Sequence, residues 1–242
     1  MRRLAEESKP LLSSEDKKII IEEYWSRLKE KVELIFVNTR SERCKYCNLI
    51  KQLYEELIEL SDKLHLREFY IEDKLEELRN LFKIKGAPVV VLKGVNKGLI
   101  KFYGIPSGLE FPSFIETIVR VSRGEVDLPE NIIEEVKSID KYVNIQVFIT
   151  PSCPYCPKMV STAYMFAIIN SNIDAEAWET IEFPEVSEYY KVSAVPKIVI
   201  NDIVQWEGLV PPEYLLHNIY YAIYPEKAGE GVKKGEGVER IK

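Results

Sequence analysis

Hydrophobic and polar positions along the chain fall into the same order twice. An amphipathic stretch over residues 14–31 (Ile19, Ile20, Tyr24, Trp25, Leu28), capped by Ser13 or Ser14, predicts a helix. The apolar run 32–37 predicts a buried strand. After it Leu49, Ile50, Leu53, Leu57, Ile58 and Leu60 recur at helical spacing. A strand over 66–71, a short helix over 75–82, and strands over 89–92 and 99–103 joined by Asn96-Lys97-Gly98 follow. The breaker cluster Gly104-Ile105-Pro106-Ser107-Gly108 leads to a closing helix over 111–121. Residues 122–129 are polar, carry Gly124 and Pro129, and mark a boundary. The order then repeats: helix 131–139, strand 145–149, helix 158–170, strand 175–181, helix 185–190, strands 197–200 and 203–206 around Asn201-Asp202, and helix 212–223. Residues 1–13 read as frayed. Residues 226–242, rich in Gly, Lys and Glu without an apolar face, read as a disordered tail.

Each unit thus reads helix, β, α, β, α, β, β, α, with separate cores expected in units 1–124 and 125–225. This order implies an α/β fold with a central mixed sheet: the first strands parallel through helical crossovers, the last two an antiparallel hairpin. Three landmarks make the duplication explicit. Cys44-Lys45-Tyr46-Cys47 answers Cys153-Pro154-Tyr155-Cys156. Gly86-Ala87-Pro88-Val89 answers Ala194-Val195-Pro196-Lys197, and Phe102-Tyr103-Gly104 answers Trp206-Glu207-Gly208. Pro88 lies 44 residues beyond Cys44 and Pro196 lies 43 beyond Cys153, a match in spacing that argues for an internal repeat.

Both cysteine pairs stand where a strand feeds a helix. A sulfur at a helix start lies near free N–H groups and the positive end of the helix. There a thiol pKa drops from about 8.5 to somewhere near 3.5–7.5. With Cys153 as N-cap and Pro154 in the first turn, Cys156 is placed to close a disulfide with it, and Cys44 with Cys47 repeats the arrangement. The first pair is entered through Thr39-Arg40-Ser41-Glu42-Arg43, more charged than Thr150-Pro151-Ser152, and Lys45 stands where the second pair has proline. Arg43 and Lys45 favour thiolate at Cys44. No carboxylate is marked by its placement as a proton acceptor for the buried cysteine.

Composition narrows the function classes. A 46% hydrophobic chain of 242 residues is globular, and a net charge of −6 gives no reason to expect nucleic acid or an anionic membrane as partner. No apolar stretch reaches spanning length, and Met1-Arg2-Arg3 opens a polar, acidic segment, so the expected compartment is the cytoplasm. Abundant Lys and Glu with few Gln hint at a hyperthermophile. Zinc on the four cysteines is the rival chemistry, but the pairs open separate repeats. A scaffold with structural disulfides is the second rival. The electron-donor part of a peroxide-reducing system is the third, although there one half lacks its cysteines. His65 and His217 are isolated, and the run at Glu55-Glu56 reads as a solvated helix face. Tyr46 and Tyr155 lie in the active loops.

Across residues 13–224 the chain resembles the archaeal and thermophilic protein disulfide oxidoreductases, glutaredoxin-like proteins of two tandem thioredoxin-like folds. The resemblance rests on the two CxxC motifs, the two proline segments and Phe102-Tyr103-Gly104-Ile105-Pro106. It implies thiol–disulfide exchange on protein clients by redox-active disulfides Cys44–Cys47 and Cys153–Cys156, without a bound cofactor or metal. It also implies that Pro88 and Pro196 are cis and lie against their CxxC motifs, with the backbones of Ala87 and Val195 pairing with an extended substrate segment. No phosphate loop or dinucleotide fingerprint is present, so flavin or nicotinamide chemistry is expected from a partner, a thioredoxin-reductase-like flavoprotein acting as electron donor.

Overall fold

A computed structural model describes residues 9–224 and 239–240. Residues 9–13, expected to fray, are held. Leu11 and Leu12 donate their N–H groups to the Glu56 carboxylate at 2.9 Å each, and Leu12 is buried. Glu56 is therefore a buried anchor, correcting its reading as solvated. Ser13 caps α1 (Ser14–Ile19) in a capping box with Asp16. The expected long helix then changes pitch. A π turn over Ile20–Tyr24 and a 3-10 turn over Trp25–Arg27 continue it. The five-residue spacing of the wide turn lets Ile20 and Trp25 enter the core together.

Next come β1 (Val32–Asn38), α2 (Cys47–Ile58), β2 (Leu64–Tyr70), α3 (Ile71–Phe82), β3 (Val89–Lys93), β4 (Ile100–Tyr103) and α4 (Glu110–Arg123). The second half repeats them as α5 (Glu130–Lys137), β5 (Val143–Ile149), α6 (Cys156–Ile169), β6 (Ile173–Glu179), α7 (Pro184–Tyr189), β7 (Lys197–Ile200), β8 (Val204–Glu207) and α8 (Pro212–Ile223). Strands β2 and β6 each begin two residues before the expected start, because the parallel ladder is already formed there: Val32 faces Leu64 and Val143 faces Ile173. Most of the predicted tail lies outside the described residues. Glu239–Arg240 form a short strand, β9, antiparallel to β8.

Within each half the pairing is the same. Strand β1 is parallel to β2 and antiparallel to β3, which pairs with β4; β5, β6, β7 and β8 repeat this. The halves then join edge to edge, β4 running parallel to β6, into one sheet of order β2-β1-β3-β4-β6-β5-β7-β8-β9. That seam overturns the expectation of separate cores. Alternate residues of β1 point to opposite faces (Leu34 and Phe36 to one, Ile35 and Val37 to the other), and each face carries a hydrophobic cluster with residues of both halves. On the larger face α4 packs against α6, where Arg120 donates to the Ser161 hydroxyl at 2.6 Å. On the smaller face Tyr103 stacks on Trp178 with centroids 3.6 Å apart. Beneath them Lys101 and Glu176, both fully buried, pair at 2.8 Å, and Lys85 reaches the same carboxylate at 3.2 Å.

Candidate redox sites

Both CxxC motifs occupy the turn from a central strand into a helix, β1 to α2 and β5 to α6, and both pairs are closed as disulfides with Cα atoms 5.6 and 5.5 Å apart. In the second site α6 starts at Cys156 with Tyr155 as its N-cap and Pro157 in the first turn, so Cys153 is not the formal N-cap expected of it. Even so, the Cys156 N–H points at Cys153 Sγ, 3.1 Å away. A side-chain acceptor three residues before the amide is the bond an N-cap makes, so the sulfur occupies the place that favours negative charge. Cys153 and Cys156 are both buried. In the first site Cys47 is buried, whereas Cys44 is half-exposed.

The Ala87–Pro88 and Val195–Pro196 peptides are cis. Pro88 and Pro196 are buried at the starts of β3 and β7, where a missing N–H breaks no ladder bond. The Val195 carbonyl oxygen lies 3.7 Å from Cys153 Sγ. Ala87 and Pro88 share a cleft of about 370 Å³ with Cys44, Lys45 and Tyr46. The structure thus brings each cysteine pair together with its own proline loop. Tyr46 and Tyr155 are exposed, as is Arg43, whose 3.8 Å ion pair with Glu185 crosses solvent and contributes little. Among the described residues no group of three or more His, Cys, Asp or Glu is placed to hold a metal ion.

A thioredoxin-domain family model matches residues 143–220. The alkyl hydroperoxide reductase protein AhpF of Pseudomonas aeruginosa is 28% identical over 167 residues, 69% of this chain and 30% of that protein, so the chain spans under a third of this curated relative's length. The fold is shared with AhpF of Enterococcus faecalis at a TM-score of 0.77 and 23% identity, over 86% of this chain and 99% of that one. A protein disulfide oxidoreductase from Aeropyrum pernix is 30% identical with a TM-score of 0.77, over 87% of this chain and 93% of that one. The chain belongs to the protein disulfide oxidoreductases. The family and the α/β fold with a central mixed sheet expected from the sequence therefore stand, and both CxxC motifs are closed as disulfides.

Two groups beside these sites were not legible in the sequence. Glu110 opens α4 and is buried, with no hydrogen-bond partner for Oε1 among the described residues, and burial pushes its carboxyl up to about 8. Its neighbours tie it to the second site of the oxidoreductase. The Leu109 N–H donates to the Pro151 carbonyl at 2.9 Å, and the Ser113 hydroxyl donates to the Pro157 carbonyl at 3.2 Å. Glu182, beyond β6, lines the first site's cleft. Burial and the nearby Glu179 raise it to about 7, against the pull of the Ile105 N–H. A polar residue between a breaker cluster and an apolar stripe, or after a strand, carries no mark of burial in sequence. Each carboxyl lies near the redox motif of the opposite half, so only the seam brings them there.

Proposed function

We propose that this chain carries out thiol–disulfide exchange on protein clients at both CxxC pairs. The observation that carries the reading is the seating of Cys153 Sγ between the Cys156 N–H at 3.1 Å and the Val195 carbonyl at 3.7 Å. Once reduced, Cys153 is the better thiolate, since an amide and a helix start face it. That thiolate attacks a client disulfide, forming a mixed disulfide and releasing one client sulfur as thiolate. Cys156 gives up its proton and attacks Cys153, freeing the second client sulfur and leaving Cys153–Cys156 oxidised. The reverse sequence oxidises a client dithiol. Two electrons move in either direction. Glu110, whose neighbours Leu109 and Ser113 bond to Pro151 and Pro157 on either side of the pair, is the group we assign to take the Cys156 proton as pH nears its raised value of about 8. Cys44 and Cys47 repeat the cycle in the unit 1–124, with Ala87 and Pro88 aligning an extended client as Val195 and Pro196 do in the unit 125–225.

The reading includes a thioredoxin-reductase-like flavoprotein as electron donor and a cytoplasmic setting. No helix among the described residues is long and apolar enough to cross a membrane. The likeness to the alkyl hydroperoxide reductase protein AhpF favours a second reading, in which the chain passes electrons toward peroxide reduction. Reduction of insulin and of a peroxide-reducing partner by dithiothreitol-charged protein separates the two. Cys153→Ser is expected to remove most of the insulin reduction. Activity unchanged in that variant and lost in Cys44→Ser would move the main work to the first site.

A further inference from the structure

The first cleft is not built by its own half alone. Thr39 to Tyr46 and the Ala87–Pro88 loop form one wall, and the other is Ile181, Glu182, Phe183 and the start of α7. Glu182 is the member of that second wall that reaches back to the loop. Its Oε1 accepts the Ile105 N–H at 2.6 Å, and the adjoining Gly104 N–H donates to the Pro88 carbonyl at 3.1 Å. The approach is close enough that a side chain at residue 104 would displace the Glu182 carboxylate. A Cβ on Gly104, whose φ is +95°, would lie 2.5 Å from Glu182 Oε1 and 3.0 Å from Glu179 Cβ. Glu182 is itself held, its N–H donating to Glu179 Oε2 at 2.8 Å. The repeat supplies an internal control. Gly208, at φ +100°, donates to the Pro196 carbonyl at 2.7 Å in the same way. Yet among the described residues nothing lies within 4 Å of a Cβ placed there. The second loop is secured within its own half instead: Glu207 accepts the Ser193 and Ala194 N–H groups at 3.0 and 3.2 Å. Tyr103 stands at the equivalent place in the first half, and its hydroxyl accepts the Lys85 N–H at 3.0 Å, the counterpart of the Ser193 bond, since Lys85 and Ser193 each lie three residues before their proline.

We propose that Glu182 is a positioning residue of the first redox site, supplied by the second half: by holding the Gly104–Ile105 turn it sets the Pro88 loop against Cys44 for an extended client peptide. The inference rests on exchange occurring at Cys44–Cys47. It is tested in full-length chains keeping one pair each, Cys153→Ser/Cys156→Ser and Cys44→Ser/Cys47→Ser. The probe is a linear peptide joined to glutathione by a disulfide, reduced at the expense of dithiothreitol. In the first-pair chain, Glu182→Ala is expected to raise KM about fivefold with kcat nearly constant, the size of one lost hydrogen bond. Glu182→Gln, which keeps an acceptor for the Ile105 N–H, restores KM. In the second-pair chain KM does not move. Glu182→Met keeps the side-chain length without the acceptor, and gives the same result if the alanine form folds poorly. An unchanged KM in a first-pair chain that turns over peptide overturns the inference alone, as does an equal rise in both chains. A first-pair chain that turns over no peptide removes the exchange reading at this site and the inference with it.

Discussion

At the second site a carboxylate of the same half, Glu207, secures the segment entering the proline loop, while at the first site the turn bonded to that loop is held by a carboxylate of the opposite half, Glu182. The cysteines differ in the same sense. Cys153 is buried, with an amide on its sulfur, whereas Cys44 is half-exposed and opens onto a cleft with a borrowed wall. Duplicated units keep their strand order, because the hydrophobic pattern alone enforces it. They diverge where an edge strand meets a new neighbour. The β4–β6 junction offers the first half's loops a surface that the second half's loops do not meet, and Glu182 is the residue that exploits it.

If the two sites depend on one seam, breaking the seam should cost both. Glu176→Gln leaves the fully buried Lys101 ammonium without its carboxylate, and a charge left uncompensated in the interior costs roughly 3–5 kcal/mol. Chemical denaturation should show that loss as one cooperative transition. Two separate transitions, with the second site intact after the first, would mean that the halves stand independently.

Glu110 sharpens the comparison through pH. Its carboxyl is raised from an ordinary 4.5 to about 8 in the folded protein, so between those values the native state holds a proton that the unfolded chain has released. Stability contributed by the neutral form is full below pH 4.5 and is lost as pH rises toward 8. Glu110→Gln is therefore expected to gain on the wild type steadily from pH 5 to pH 8. Denaturant midpoints that run parallel over that range would sink the assignment of a buried, neutral Glu110. In the same variant the second pair alone should turn over more slowly above neutral pH, since Gln takes no proton from Cys156.

The smallest effect belongs to Glu207→Ala. It frees two exposed amides, so stability should change by less than about 1 kcal/mol, while KM for a peptide disulfide should rise at the second pair only. A rise at the first pair instead would reverse the division of labour between the two loops.

Much of this was legible before any coordinate. The CxxC pairs, the prolines placed 44 and 43 residues on, and the alternation of runs and stripes carried the fold class, the repeat and the four cysteines. The misreadings share one cause. Glu56 read as solvated because it follows another glutamate, the exposed Glu55, yet it binds the amides of residues 11 and 12, more than 40 positions away. Residues 9–13 read as loose because the carboxylate that holds them, Glu56, is 45 and 44 positions from Leu11 and Leu12.

Sequence by itself determined what is local or periodic: strand and helix faces, the helix-start cysteines, and a proline at each strand entry. These follow from backbone geometry and from one side chain's burial at a time. Tertiary structure alone decided that the halves share a core, that Glu110 is buried beside the second site, and that Glu182 closes the first. Those outcomes depend on which edge of one sheet meets which edge of the other. An edge-to-edge pairing is made by backbone groups that every residue carries, and so leaves no signature in the order of side chains.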